Sequence, residues 1–195
     1  MQTKFNKAIE IIDTHNAEDP NKTTFEGESI AKELLYSQRM TAKLLEVEPK
    51  ASEELQLAIR AQHICRWKIE RSSYPMDRVG YFKWRNDLKK MHSEIASDIL
   101  HEVGYEEDFI KRVSFLIQKK SLKKDEESQM LEDVVCLVFL ENYLEEFMSK
   151  HTDEKVVDIL QKTWKKMSSI GHDLAFQITL SERAGRLVKT ALNGA

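Results

Sequence analysis

The sequence predicts an all-α protein, a single domain built as a multi-helix bundle. Three observations predict it. Apolar residues recur at helical rather than alternating spacing along most of the chain. Only six glycines and three prolines interrupt 195 residues. Finally, 41% hydrophobic against 32% charged residues is the balance of a domain that buries a real core. The elements follow in order. Lys4 to His15 reads as a first helix, ended by the polar turn HNAEDPNKT, where Asp19 before Pro20 is good turn chemistry. A linker carrying Gly27 leads to a second helix, Ser29 to Val47, closed by Pro49. Ser52 is the N-cap of a third, running to about Trp67. ERSSYPMDRVG, with Pro75 and Gly80 as breakers, is the least helical segment. A fourth helix covers about Phe82 to Val103, with Gly104 placed to terminate it. Glu106–Lys120, Glu126–Lys150, Asp153–Met167 and Ser181–Leu192 complete the set, and Gly171–His172 reads as a hinge before a C-terminal appendage.

Several classes are set aside at this level. No apolar run reaches the ~18 residues of a membrane span, and the N-terminal helix lacks the apolar core and cleavage site of a signal peptide. Cys65 and Cys136 lie in apolar helical contexts rather than in a CxxC motif, as expected of reduced, buried thiols in a cytoplasmic protein. A net charge of −3 does not suit a dedicated nucleic-acid binder, which makes RNA a less expected partner than a small molecule.

The informative residues are polar ones on apolar stripes. Leu55, Ile59 and His63 recur every four residues, and Leu88, His92, Ala96 and Ile99 repeat the pattern on the fourth helix. In QMLEDVVCLVFLE, Glu132 and Asp133 stand among residues that are otherwise almost all apolar. A buried carboxylate without a partner costs several kcal/mol or is forced to take a proton, and two histidines on facing stripes would supply the partner. Two histidines and an aspartate could hold a divalent metal with positions open for water or substrate. They could equally form a proton-sharing pair that satisfies a polar core.

The order of motifs resembles the HD superfamily of metal-dependent phosphohydrolases across about Ser29 to Leu144. YSQRMTAKLLEV places Tyr36 where that pattern has its first histidine. LQLAIRAQHI supplies His63 but has Ile64 in place of the aspartate of the doublet. HSEIASDILHEVGYEEDFIKRVSFLIQKK supplies His92, with Lys119 and Lys120 where a histidine pair is expected, and ESQMLEDVVCLVFLE supplies Asp133. The resemblance implies an HD-like core over residues 29–144 and a C-terminal helical extension over 145–195. It implies one divalent metal ion on His63, His92 and Asp133, completed by Glu33, Glu132 or water, with those three residues carrying catalysis. The phrases NAEDPN, KELLY, AQHICRW, YPMDRVGYFKWR, LEDVVCLVFLE and KTWKKMSSIGH are similar, more closely, to an uncharacterised family known as domain of unknown function four-two-zero-two.

From His63 to Lys90 the chain carries eight Lys/Arg against three Asp/Glu, interleaved with Trp67, Tyr74, Tyr81, Phe82 and Trp84. Arginines hold phosphate through paired N–H donors, and aromatic rings stack on bases. Arg66, Arg71, Arg78 and Arg85, with Lys119 and Lys120, are the expected phosphate contacts. The expectation is thus a metal-assisted phosphohydrolase acting on a nucleotide or other phosphorylated small molecule. The alternatives are a non-catalytic HD-like nucleotide- or RNA-binding module, and a structural scaffold whose polar core fixes helix register.

Overall fold

The computed structural model describes residues 2–193. Among the described residues the protein is all-α apart from one two-stranded hairpin, and its chain forms two compact units, Met1–Lys120 and Ser121–Ala195.

In the first unit, α1 (Lys4–Ala17) is capped by Thr3, whose hydroxyl accepts from the Asn6 N–H. The segment read as a linker is a β-hairpin, β1 (Lys22–Phe25) against β2 (Glu28–Ala31). Its two-residue turn needs left-handed backbone at both positions, and Glu26 and Gly27 supply it with φ of 52° and 86°. Thr23, Thr24 and Ile30, β-branched residues around a glycine turn, were the sequence signal for it. Because Ser29 pairs with Thr24 in the hairpin, α2 (Lys32–Val47) begins three residues later than the periodicity suggested.

Ser52 caps α3 (Glu53–Ala61) as expected, accepting from the Leu55 N–H at 3.1 Å. Leu57, Ala58, Ile59 and Ala61 are wholly buried, so α3 is the centre of this unit. It ends at Ala61 rather than near Trp67. Cys65 takes up left-handed backbone (φ 54°), which no helix tolerates, and its N–H donates to the Asn16 side-chain carbonyl at 3.3 Å. His63 therefore sits in a turn beyond the helix, not on its stripe. Short 3-10 turns follow at Arg66–Lys68 and Arg71–Ser73.

The long helix α4 (Arg78–Glu102) starts at an Asp77 cap, and Gly80, expected as a breaker, lies inside its first turn. A Cβ there would stand 2.1 Å from the Pro75 carbonyl oxygen, so only glycine lets the loop fold back onto the helix. α5 (Glu107–Ile117) packs against both α3 and α4 and stops short of Lys119, whose φ is 54°.

In the second unit the predicted helix from Glu126 to Lys150 is two helices. α6 (Glu126–Asn142) and α7 (Leu144–Ser149) are separated at Tyr143, where φ −127° and ψ −11° break the helical run. α6 is buried nearly all round, with Leu131, Val134 and Val138 inaccessible. α8 (Asp153–Lys166), α9 (Ser169–Ala175) and α10 (Glu182–Asn193) complete the unit, α9 occupying the region read as a hinge. α6 packs on α7, α8 and α9 within this unit.

Candidate functional site

The site is built where three elements of the first unit bring buried polar groups together. Two backbone devices in the NAEDPN turn place them. The buried Asp19 carboxylate accepts from the Asn21 backbone and side chain, both at 2.9 Å, and from the Glu33 N–H at 3.1 Å. It thereby fixes the first turn of α2 and the position of Glu33. Asn16 meanwhile holds the turn that carries His63. Neither role was visible in the sequence beyond the turn chemistry itself, because the partners lie 14 and 49 residues away.

His63 stacks on Tyr36 with ring centroids 4.3 Å apart and planes within 12°. Tyr36 occupies the place of a histidine in the resembled pattern and here acts as a platform, its hydroxyl accepting from Gln62 at 2.8 Å. The two nitrogens of His63 have different neighbours. Nδ1 lies 3.4 Å from Glu33 Oε2, and Nε2 lies 3.4 Å from Arg66 Nη1. Arginine can only donate, so Nε2 is the lone-pair side and Nδ1–H points towards the carboxyl. Arg66 continues to Glu33, Nε to Oε1 3.8 Å, and its guanidinium covers the Trp84 ring at 4.8 Å.

His92 is 2% exposed, with its ring centroid 5.9 Å from that of His63. Its Nδ1–H donates to the Ile64 carbonyl at 2.7 Å, which leaves Nε2 as a lone-pair acceptor. Nε2 is buried without a hydrogen-bond partner, and so is Glu33 Oε2. Such orphaned polar atoms are unusual in a native interior, where buried polar groups are almost always paired. Gln62, His63, Arg66, Arg85, Leu88, Lys89, His92, Ile117 and Lys119 line one hollow here. Its enclosed part is about the size of a single water, so a larger ligand would lie at the mouth with one group inserted.

The electrostatics have one sign. Burial, then the positive charges of Arg66 and Arg85, push His92 down to about 3. Burial with Arg66, His92, Arg85 and Lys119 holds His63 well below the usual histidine range. Both imidazoles are therefore neutral at pH 7. Glu33 is raised to about 7, chiefly by burial and further by Asp19, with Arg66 opposing. Arg85 makes no hydrogen bond or ion pair among the described residues, although it is half-buried. The hollow thus concentrates positive charge, and the Glu33 carboxyl beside His63 and Arg66 is held towards its neutral form by burial.

The expected site residues sort clearly. His63, His92, Arg66, Arg85 and Lys119 come together, and Gln62 and Lys89 join them unforeseen because periodicity does not reveal which turn residues face a neighbouring helix. Arg71 does not line the hollow; it clasps its own loop, donating to the Tyr74, Pro75 and Asp77 carbonyls at 3.1, 2.7 and 3.3 Å. Arg78 is exposed over the Phe82 ring at 5.6 Å, and Lys120 is exposed. Asp133 belongs to the second unit, where its carboxylate accepts from Gln129 at 3.0 Å and from the Ser168 N–H at 2.8 Å, and from the Ser168 hydroxyl. It anchors the start of α9, and Gly171 makes room for it, since a Cβ there would meet Asp133 Oδ1 at 2.7 Å.

Could these residues hold a metal? His92 has the ligand-like arrangement of one ring nitrogen on a carbonyl and the other open. The His63 lone pair, however, faces Arg66, and among the described residues no group of three or more His, Cys, Asp or Glu is placed to hold an ion. The donor set for a divalent ion is incomplete there.

A family model matches residues 6–188, nearly the whole chain. The chain belongs to that family, Domain of unknown function (DUF4202). No curated protein and no solved structure matches this DUF4202 chain. The match covers both units, so the residues of the hollow and those around Asp133 fall within a single family. No helix among its described residues is long and apolar enough to cross a membrane.

Proposed function

We propose that the first unit of this DUF4202 protein binds a phosphorylated small molecule, with the phosphate at the mouth of the hollow between Arg85, Arg66 and Lys119. The observation that carries this reading is the excess of positive charge around two neutral imidazoles, with Arg85 lacking any partner among the described residues. An anion entering there offsets the positive charge of Arg66 and Arg85 and gives Arg85 the paired acceptor its geometry suits. His92 Nε2, an acceptor, would take the hydroxyl of a hydrogen phosphate or of a water inserted beneath it.

Titration calorimetry with pyrophosphate tests the reading. Wild type binds, and Arg85→Ala weakens binding roughly tenfold or more, as loss of a charge-assisted contact requires. Equal affinity in both proteins would defeat it. Binding that persists in EDTA agrees with direct cationic contacts, whereas binding restored only by added magnesium or manganese would favour an ion on His92.

A second reading, hydrolysis of a phosphate ester, is favoured by one observation, the Glu33 carboxyl beside neutral His63. A group raised to about 7 can take and return a proton near neutral pH. Phosphate release from a panel of phosphate esters, lost in Glu33→Gln with the fold intact, would support it. The HD-like motif order supplies a distinct expectation, metal-dependent turnover abolished in Asp133→Asn. No release under any of these conditions leaves the binding module.

A further inference from the structure

The hollow has an aromatic approach that phosphate binding alone does not use. On α4, Tyr81, Arg85, Leu88 and His92 fall on one face, spaced by four, three and four residues. His92 and Arg85 belong to the hollow, and Tyr81 stands one helical turn, about 6 Å, beyond Arg85 towards solvent. Its ring lies 6.0 Å from that of Trp84, on which the Arg66 guanidinium rests, which places it on the site's side of the helix. Its aromatic neighbours in the segment have their surfaces engaged. Trp84 donates its N–H to the Ile69 carbonyl at 2.9 Å and lies under both Arg66 and Arg71, and Phe82 carries Arg78. Tyr81 is different. It is 44% exposed, meets Phe82 edge-on at 5.8 Å and Trp84 at a tilt at 6.0 Å, and has no ring stacked on it and no cation over it among the described residues.

An open ring face one turn from an unpartnered arginine matches a molecule whose planar group and phosphate are held a few ångströms apart by a sugar. The second, independent mark of a ligand is the buried, unpartnered Nε2 of His92 at the floor of the same hollow. We propose that the ligand is a nucleoside diphosphate whose base stacks on Tyr81 while its phosphates lie against Arg85, Arg66 and Lys119. This rests on the phosphate-binding reading and narrows it from any phosphorylated compound to one with an aromatic base. Stacking does not distinguish bases by hydrogen bonding, so purine and pyrimidine nucleotides both bind, the larger purine surface more tightly.

The test compares pyrophosphate, ADP and CDP by calorimetry against wild type, Tyr81→Leu and Tyr81→Phe. ADP binds wild type about tenfold more tightly than pyrophosphate, the contribution of one stacked base. Tyr81→Leu removes that advantage and leaves pyrophosphate affinity unchanged, and Tyr81→Phe, which keeps the ring, restores it. Equal binding of ADP and pyrophosphate to wild type overturns the base site while the phosphate site stands. So does a Tyr81→Leu variant that weakens both ligands alike. If pyrophosphate and ADP both fail to bind, the phosphate-binding reading falls as well. An eight-nucleotide RNA that binds far more tightly than ADP, with a steep salt dependence, overturns the small-molecule assignment in favour of a nucleic acid. Tyr81 is at the surface, so unchanged melting temperatures of the variants keep these outcomes separate from misfolding.

Discussion

Replacing Glu33 by glutamine should turn a pH-dependent weakness of the fold into a pH-independent one. The carboxyl is largely buried, 17% exposed in its side chain, and has one oxygen without a partner. Burial raises it from an ordinary 4.5 to about 7. Protonated Glu33 is therefore favoured by folding, and its contribution to stability is fully present below pH 4.5. That contribution is lost as pH rises to about 7, because the unfolded chain ionises first and the folded one is forced to ionise in a poor environment. A shift of this size corresponds to about 3 kcal/mol across the window. Glutamine keeps the shape and cannot ionise. Urea unfolding of both proteins between pH 4 and 8.5 should give Glu33→Gln a stability that gains on wild type by about 3 kcal/mol across that range. The depressed histidines titrate in both proteins and largely cancel in the difference. Two parallel curves would refute the reasoning, for they would mean that the Glu33 environment does not favour its neutral form.

Four further outcomes follow from other parts of the molecule. His92, lowered to about 3, is neutral when folded, so its contribution is present above its ordinary 6.5 and lost as pH falls towards 3; His92→Phe should blunt acid destabilisation in that window, measured by the same unfolding titration. Anion binding should take up protons near pH 7, because an added negative charge raises Glu33 further and draws both imidazoles up from their depressed range; calorimetry in two buffers of different ionisation enthalpy reads the uptake directly. Gly80→Ala should destabilise the protein by roughly 1–3 kcal/mol, since the Pro75 carbonyl leaves no space for a Cβ, and a melting temperature equal to wild type would contradict that. Ser168→Ala should cost about 1–2 kcal/mol by removing both the cap on the Gly171 N–H and the hydroxyl donated to Asp133, read from denaturant midpoints.

The sequence alone determined the helical class, most helix starts and the residues worth watching. Helical periodicity, Ser52 as a cap and scarce glycine and proline are local facts, and local facts survive folding with little change. It also singled out His63, His92, Arg66 and Arg85 as unusual, because polar groups on apolar stripes and arginines among aromatics are visible without coordinates, while Lys119 entered only through the resembled order of motifs. Tertiary structure decided what these residues do. Left-handed backbone at Cys65, held by Asn16 from a distant helix, takes His63 off its stripe and turns it towards Glu33 and Arg66. Asp133, as polar and as buried as any candidate, finds its partners in Gln129 and Ser168. Arg71, chemically the equal of Arg85, is used up on loop carbonyls while Arg85 keeps its donors free of protein partners among the described residues. Periodicity reports which face a residue occupies. Which groups meet across that face, and which are left unsatisfied for a ligand, depends on turns and distant hydrogen bonds that no local pattern encodes.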